Sequence, residues 1–592
     1  LTLLPPRATI ATMRRPLASF VVSITLTACG EAPPAPLSDG AVPFDGPRDA
    51  TPDTGSDLAP EERPRHEGPM RVTVTRYDHT IDLETRSLTA RLTLHVHTPG
   101  DCVTLGLRHP SVDEVRFGDM PARASKVANN TLWACIDGGL DADTTTVLTV
   151  RSTIPQATLL PTQVGFSRRN NSAGQRFTYL LSWVGECPRV GPCDAAPSTF
   201  STYRFTVVHP MGTQVFCPGD VTHGATETVC TLEHRGAPTY SSFGVMALAG
   251  GWRQNDLGTV GGVRLSLHDT PMSRIAENLD RPRLRAFLAW MVERFGPYPY
   301  GNTLRFVTGP TYWAGFEHPG NIALAETLVA GGRLDHTIRH EIVHQWAGDQ
   351  TTVATLKDFV WKEAMAEYLS YVFEEENGLA DQARTSLTTW LTASSRADRY
   401  PVPDEDLALP AFYGSSYGPG PMIFFRQLEV MFSRRQVIDA IRRVLGRERT
   451  LSVDEVREAL EHTTGARLDA YFRAWLRGTG TPAWPAVTVT RSPHPDGSLT
   501  VAVRVTTRDG TLRPCRFRVR LVGPEGRHLD VPFTVGLDGS PPAPVTVHPT
   551  FTVTGDVLNP EVEALVFPTS EMSSARSIQS VSTPADDPFR AP

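Results

Sequence analysis

The chain has 592 residues, a formal net charge of −7, and 40% hydrophobic against 20% charged residues. That length makes several domains and that balance makes most of them ordinary globular protein with ample core. The acidic balance and the lack of any basic run exclude the usual electrostatic footprint of a nucleic-acid binder, and no stretch reaches the ~18–20 apolar residues of a spanning helix.

The first feature is residues 13–29, MRRPLASFVVSITLTAC. Arg14 and Arg15 precede a short apolar run from Leu17 to Ala28, the layout of a secretory signal. Leu26-Thr27-Ala28-Cys29 resembles the bacterial lipoprotein box, which implies lipid attachment at Cys29 and places the protein outside the cytoplasm, anchored to the cell envelope. Residues 1–12 then read as an over-extended start, with Met13 the better initiator. The alternative is a plain signal peptide cut nearby, with Cys29 an incidental thiol. Residues 30–69 hold nine prolines and almost nothing apolar, so they cannot bury enough surface to fold and read as a tether.

Residues 70–267 read as a β-rich domain. Leu88, Ala90, Leu92, Leu94 and Val96 alternate with polar residues, as in a strand with one buried face, and Thr146–Val150 and Tyr203–Val208 behave similarly. None of the eight cysteines forms a C-x-x-C pair, which argues against thiolate zinc or redox motifs. Sequence proximity pairs Cys187 with Cys193, Cys217 with Cys230 and Cys102 with Cys135, and leaves Cys515 free. Such bridges belong to an oxidising compartment.

Residues 268–485 shift to a helical period. Leu284, Phe287, Leu288, Met291, Val292 and Phe295 line one face of a helix closed by Gly296-Pro297. Within RLDHTIRHEIVHQWAG, His340-Glu341-Ile342-Val343-His344 is an H-E-x-x-H motif. Residues four apart share a helix face, so both imidazoles can reach one zinc ion while Glu341 stands beside it as a base. Histidines on a helix face are usually plain surface or core groups, so the motif takes its weight from what accompanies it. Nineteen residues after His344, Glu363 sits in a helix too apolar to be a surface element, and completes a His₂Glu set with a fourth position open for water. Glu367, one turn further, is either a carboxylate orienting a zinc-bound imidazole or a solvated helix acid. His336, one turn before His340, is a weaker alternative ligand. Further helices follow, among them Met422–Arg434, Gln436–Leu445, one opened by the capping-box pair Ser452 and Glu455, and Leu468–Arg477. Residues 486–567 return to alternation and read as a small β-sandwich, and 568–592 as a loose tail.

HEIVHQWAGD and WKEAMAEY, with eighteen residues between His344 and Glu363, together resemble the gluzincin aminopeptidase family, of the aminopeptidase N type. The resemblance implies a β-rich N-terminal domain and a thermolysin-like, mainly helical catalytic domain; with the small C-terminal β-sandwich read from the alternation, the expected fold is multidomain α+β. The resemblance also implies one zinc ion per chain held by His340, His344 and Glu363, with Glu341 as general base. Ala314-Gly315-Phe316-Glu317-His318-Pro319-Gly320 resembles the family's G-x-M-E-N-P-G strand along the substrate cleft, so Gly315, Glu317 and His318 are its substrate-binding candidates, and Glu317 inherits the substrate's amino group. Tyr417 in Tyr417-Gly418-Pro419-Gly420 inherits the oxyanion-stabilising hydroxyl; Tyr413 competes but lacks the Y-x-x-G spacing. The family's amine-binding Gln has no counterpart in Leu181–Glu186, where Glu186 is the substitute on offer. The expectation is a zinc aminopeptidase acting on extracytoplasmic peptides. Its rivals are a peptidase of the same build without N-terminal selectivity and a catalytically silent peptide-binding module.

Overall fold

The computed structural model describes residues 67–550 apart from 158–163, 312, 329–331, 396–399, 404–422, 480–485, 508–509, 511, 523–524 and 526. Cys29, the tether as far as residue 66, the tail, and both Tyr413 and Tyr417 lie outside the described residues.

The alternating stretch around Leu92 is the strand Ser87–Thr98, whose buried positions are Leu88, Ala90, Leu92, Leu94 and Val96. It lies inside an eight-stranded sheet, between Arg71–Asp82 and Thr145–Thr153, both antiparallel to it. Arg71–Asp82 then runs parallel to Phe200–Val208, which pairs with Glu227–Pro238. Each fully buried leucine or valine on the inner face contributes about 1.5–3 kcal/mol. Over that face Tyr77 stacks on Tyr203 at 5.3 Å, and Phe243 meets both edge-on at 5.5 Å. The disulfides Cys102–Cys135, Cys187–Cys193 and Cys217–Cys230 all form within this β-rich part, and Cys515 is a buried free thiol.

A second sheet positions the site. Its five strands lie in the order Arg253–Val260, Val263–Asp269, Thr303–Gly309, Asn321–Ala325 and Gly315–Phe316. The sheet therefore runs across the boundary expected at residues 267/268, and the segment after it opens with strands rather than helices alone. Thr303–Gly309 and Asn321–Ala325 are buried almost throughout, so they carry no alternation to read. The last strand, Gly315–Phe316, is an edge.

Helix Arg281–Phe295 begins at Asp280, whose side chain accepts from the Arg283 amide, and ends at Gly296 with φ 94°. From Gly332 to Trp475 helices dominate: Gly332–His344, Phe359–Glu376, Ala380–Ser395, Ile423–Met431, Arg434–Val444, Val453–Thr464 and Asp469–Trp475. Ser452 and Glu455 form the reciprocal capping box at the start of Val453–Thr464. Beyond them Ala486–Pro493, Leu499–Thr506 and Val545–Val547 form one small sheet, and Cys515–Val522 pairs with His528–Val535. The Trp475 indole donates to the Pro514 carbonyl at 2.8 Å, tying the last helix to this region. Among the described residues no helix is long and apolar enough to cross a membrane.

Candidate metal centre

Helix Gly332–His344 buries Leu334, Ile338, Ile342 and Val343 in the core. His336, His340 and His344 recur at four-residue spacing and so share another face. His344 Nδ1 lies 2.9 Å from the Ala347 carbonyl. That contact places the ring proton on Nδ1 and leaves the Nε2 lone pair free. His340 Nε2 is 3.0 Å from His344 Nε2, close to the ~3.3 Å between two ligands held about 2.0–2.1 Å from one tetrahedral ion.

The partner carboxylate comes from helix Phe359–Glu376. A capping box between Thr355 and Asp358 precedes it, and the Trp361 indole donates to the Leu451 carbonyl at 2.8 Å. From Phe359 to Glu374 all its residues are buried except Glu367, as expected for a helix enclosed on every side. Glu363 lies 3.3 Å from His340 Nε2 through Oε2 and 3.7 Å from His344 Nε2 through Oε1. Ligand atoms of His340, His344 and Glu363 all fall within 4.8 Å of one another. Two imidazoles and a carboxylate with converging lone pairs are the donor set of a catalytic zinc site, so these residues fit the ion.

Glu341 is buried against the edge strand. A Cβ on Gly315 would stand 2.3 Å from Glu341 Oε1, so only glycine leaves room for this carboxylate. Burial pushes the Glu341 carboxyl up to about 8; His340 opposes the shift, and the Glu317 and Glu363 carboxylates reinforce it. Glu317 sits two residues along the same segment and is also buried. Gln345 fastens that segment to the motif helix. Its amide donates to the Glu317 carbonyl at 2.9 Å, and its oxygen accepts from the Gly320 amide at 3.0 Å.

Lys362 completes the constellation, and the sequence reading missed it. Its Nζ lies 2.8 Å from Glu317 Oε1, 2.7 Å from Glu363 Oε1 and 3.4 Å from His344 Nε2. Burial alone would raise Glu317, yet Lys362 and His344 hold its carboxyl down at about 2. A lysine inside an apolar helix was the available signal, since such a residue is almost never buried without partners.

Behind the ligands lies a second polar cluster. His340 Nδ1 is 3.1 Å from Glu367 Oε1, and Glu367 Oε2 is 2.8 Å from His336 Nε2. His336 Nδ1 in turn lies 2.7 Å from Glu374 Oε1. His336 thus faces two carboxylates and is directed away from a ligand role, which removes it as the alternative to His340. Burial would lower its pKa, but Glu367 and Glu374 raise it to about 9.

Two other expectations change. The His318 imidazole is fully buried, places Nδ1 2.6 Å from the Ser241 carbonyl, and packs on Gly244, where a Cβ would meet the ring at 2.2 Å. These contacts hold the imidazole inside the protein, against Ser241 and Gly244. Glu186 pairs with Arg108 at 2.8 Å and with Arg189, so it is held by guanidinium groups within the β-rich part.

Comparison with known proteins agrees with this geometry. Residues 285–473 match the peptidase family M1 domain. The chain is 24% identical over 345 residues to aminopeptidase N of Streptomyces lividans, covering 52% of this chain and 38% of that protein. It is 27% identical over 167 residues to Tricorn protease-interacting factor F2 of Thermoplasma acidophilum, covering 26% of this chain and 21% of that one. The chain therefore spans well under half the length of these curated relatives. Among solved structures it resembles Legionella pneumophila aminopeptidase A in complex with aspartic acid, with TM-score 0.67 and 16% identity over 81% of this chain and 57% of that one. It also resembles an M1 zinc metallopeptidase from Deinococcus radiodurans, with TM-score 0.58 and 19% identity over 69% of this chain and 94% of that one. Residues 285–473 thus form a peptidase family M1 domain, and around it the chain has the fold of M1 zinc metallopeptidases.

Proposed function

We propose that this chain is a zinc-dependent metallopeptidase that removes N-terminal residues from peptides, with one zinc ion per chain. The observation that carries the reading is the convergence of His340, His344 and Glu363 within 4.8 Å. Zinc bound there would polarise the scissile carbonyl and lower the pKa of water towards ~7. An extended substrate adds its backbone to the free edge of Gly315–Phe316. Glu341, packed on that strand, takes the proton of the attacking water and returns it to the leaving amine. Glu317 receives the substrate α-ammonium, and Lys362 holds the Glu317 carboxylate ionised for that task. Tyr417 supplies the phenol that steadies the oxyanion, a role resting on resemblance alone.

The same Lys362–Glu317 contact favours a second reading, in which the anchor is already neutralised and N-terminal selectivity is lost. Ala-4-nitroanilide and its N-acetyl form separate the two. The aminopeptidase reading expects turnover of the free amine only; equal turnover of both establishes the second. Glu341→Gln should abolish hydrolysis while keeping the zinc, and wild-type rates in that variant would end both readings.

We also place the protein outside the cytoplasm, lipid-anchored through Cys29, with peptides as its substrates. The lipobox-like Leu26–Cys29 and the three disulfides support this. Cys29→Ser should move the protein from the membrane fraction to the soluble one.

A further inference from the structure

The buried cluster behind His340 does more than fill space. Glu367 bridges two imidazoles, with Oε1 3.1 Å from His340 Nδ1 and Oε2 2.8 Å from His336 Nε2. His336 Nδ1 meets Glu374 Oε1 at 2.7 Å, and that same oxygen accepts from Arg339 Nη2 at 2.7 Å. Ser386 Oγ lies 3.2 Å from His336 Nδ1 and 3.1 Å from Glu374 Oε2, and Arg339 also donates to Gln382 at 2.7 Å. Glu374, fully enclosed, thus faces both the His336 imidazole and the Arg339 guanidinium. Both His336 nitrogens face carboxylate oxygens at hydrogen-bond distance, so both must donate and the ring is an imidazolium.

The chain from Glu374 through His336 to Glu367 ends on the nitrogen of His340 that faces away from the metal position. The 3.1 Å approach of Glu367 Oε1 to His340 Nδ1 is an ion-pair contact, and a carboxylate there favours the tautomer with its proton on Nδ1 and Nε2 unprotonated. Glu367 can do this only while Oε1 is held beside that nitrogen, and His336 Nε2 holds its other oxygen at 2.8 Å. Helix Ala380–Ser395 closes the arrangement through Gln382 and Ser386.

We propose that His336 is a positioning residue for the metal centre: as a cation clamped between Glu367 and Glu374, it keeps Glu367 on His340 Nδ1 and thereby sets the affinity for zinc. The inference rests on the zinc reading above, and its consequence is a loss of metal affinity that can be read without any substrate.

The test is the zinc dissociation constant of the full chain, measured by competition with a chromophoric chelator, for wild type, His336→Gln and His336→Lys. His336→Gln removes the charge and should weaken zinc by at least tenfold, within the range found for outer partners of metal ligands. His336→Lys keeps a cation with several donors and should stay within threefold of wild type. Equal affinities for wild type and His336→Gln overturn the inference, as do equal losses in both variants, which mark a merely structural role. Should His336→Gln fail to fold, Glu374→Gln leaves His336 and Glu367 in place but removes the negative charge facing Nδ1; a loss of at least threefold supports the clamp and an unchanged constant overturns it. A wild-type protein that binds no zinc would instead remove the zinc reading itself.

Discussion

Gly315→Ala is a sharp probe of the site because it adds one methyl group at a defined place. The new Cβ would lie 2.3 Å from Glu341 Oε1, 2.5 Å from its Cγ and 2.6 Å from its Cδ. Ordinary contact is about 3.5–4.0 Å, so the carboxylate must retreat by roughly 1 Å. Gly315 is not among the residues with positive φ, so alanine meets no backbone penalty. The group it strikes is the end of a flexible side chain, so the stability loss should be about 1 kcal/mol, the low end for overpacking. Catalysis should suffer far more, since a 1 Å misplacement of a reacting group costs about 10²-fold. The assay is steady-state hydrolysis of Ala-4-nitroanilide together with zinc content and thermal melting. A variant that keeps its zinc and melting temperature but loses about 100-fold in kcat supports the placement of Glu341. One with kcat within threefold of wild type shows that Glu341 is not the base or does not lie on Gly315.

Lys362→Met leaves Glu317 and Glu363 as buried carboxylates without their cation. Breaking such a pair costs about 3–5 kcal/mol, and the loss, read by urea unfolding, should be largest in zinc-free protein because the bound ion also neutralises Glu363. The His336 pKa of about 9 lies above its ordinary 6.5, so its stabilisation is complete below pH 6.5 and disappears as pH rises through 9. That gap amounts to about 3 kcal/mol; melting of zinc-free protein should fall over this window in wild type and much less in His336→Gln. Tyr417→Phe should cost about 2.7–4 kcal/mol of transition-state stabilisation, measured as kcat/KM, while Tyr413→Phe leaves the rate within a few fold.

The chemistry of the centre was legible because its constraint is local. Two histidines four apart must share a helix face, and an acid inside an apolar helix needs a partner. One-sided strands were legible for the same reason: Leu88 to Val96 alternate because one face is wet. Thr303–Gly309 and Asn321–Ala325 are covered on both faces, so their sequences lost the period that separates a strand from a buried helix turn. The sheet crossing residues 267/268 was hidden with them. Helix Ala380–Ser395, rich in Ser and Thr, offered no propensity signal, yet it carries two partners of the cluster behind His340. His336 illustrates the other limit. Its residue type fits a solvated helix face, and its inward turn is decided by Glu367, Glu374 and Ser386 from two neighbouring helices. His318 looked like a substitute for a substrate-binding residue, whereas the absence of a side chain at Gly244 gives its ring a buried slot.

X-ray absorption at the zinc edge of the purified protein reports the metal's neighbours directly. Nitrogen and oxygen scatterers at about 2.0–2.1 Å, with the outer-shell signature of two imidazoles, are what His340, His344 and Glu363 require. In His344→Ala one imidazole should disappear from that signal. Sulfur neighbours near 2.3 Å, or an imidazole count that His344→Ala leaves unchanged, would contradict the centre described above.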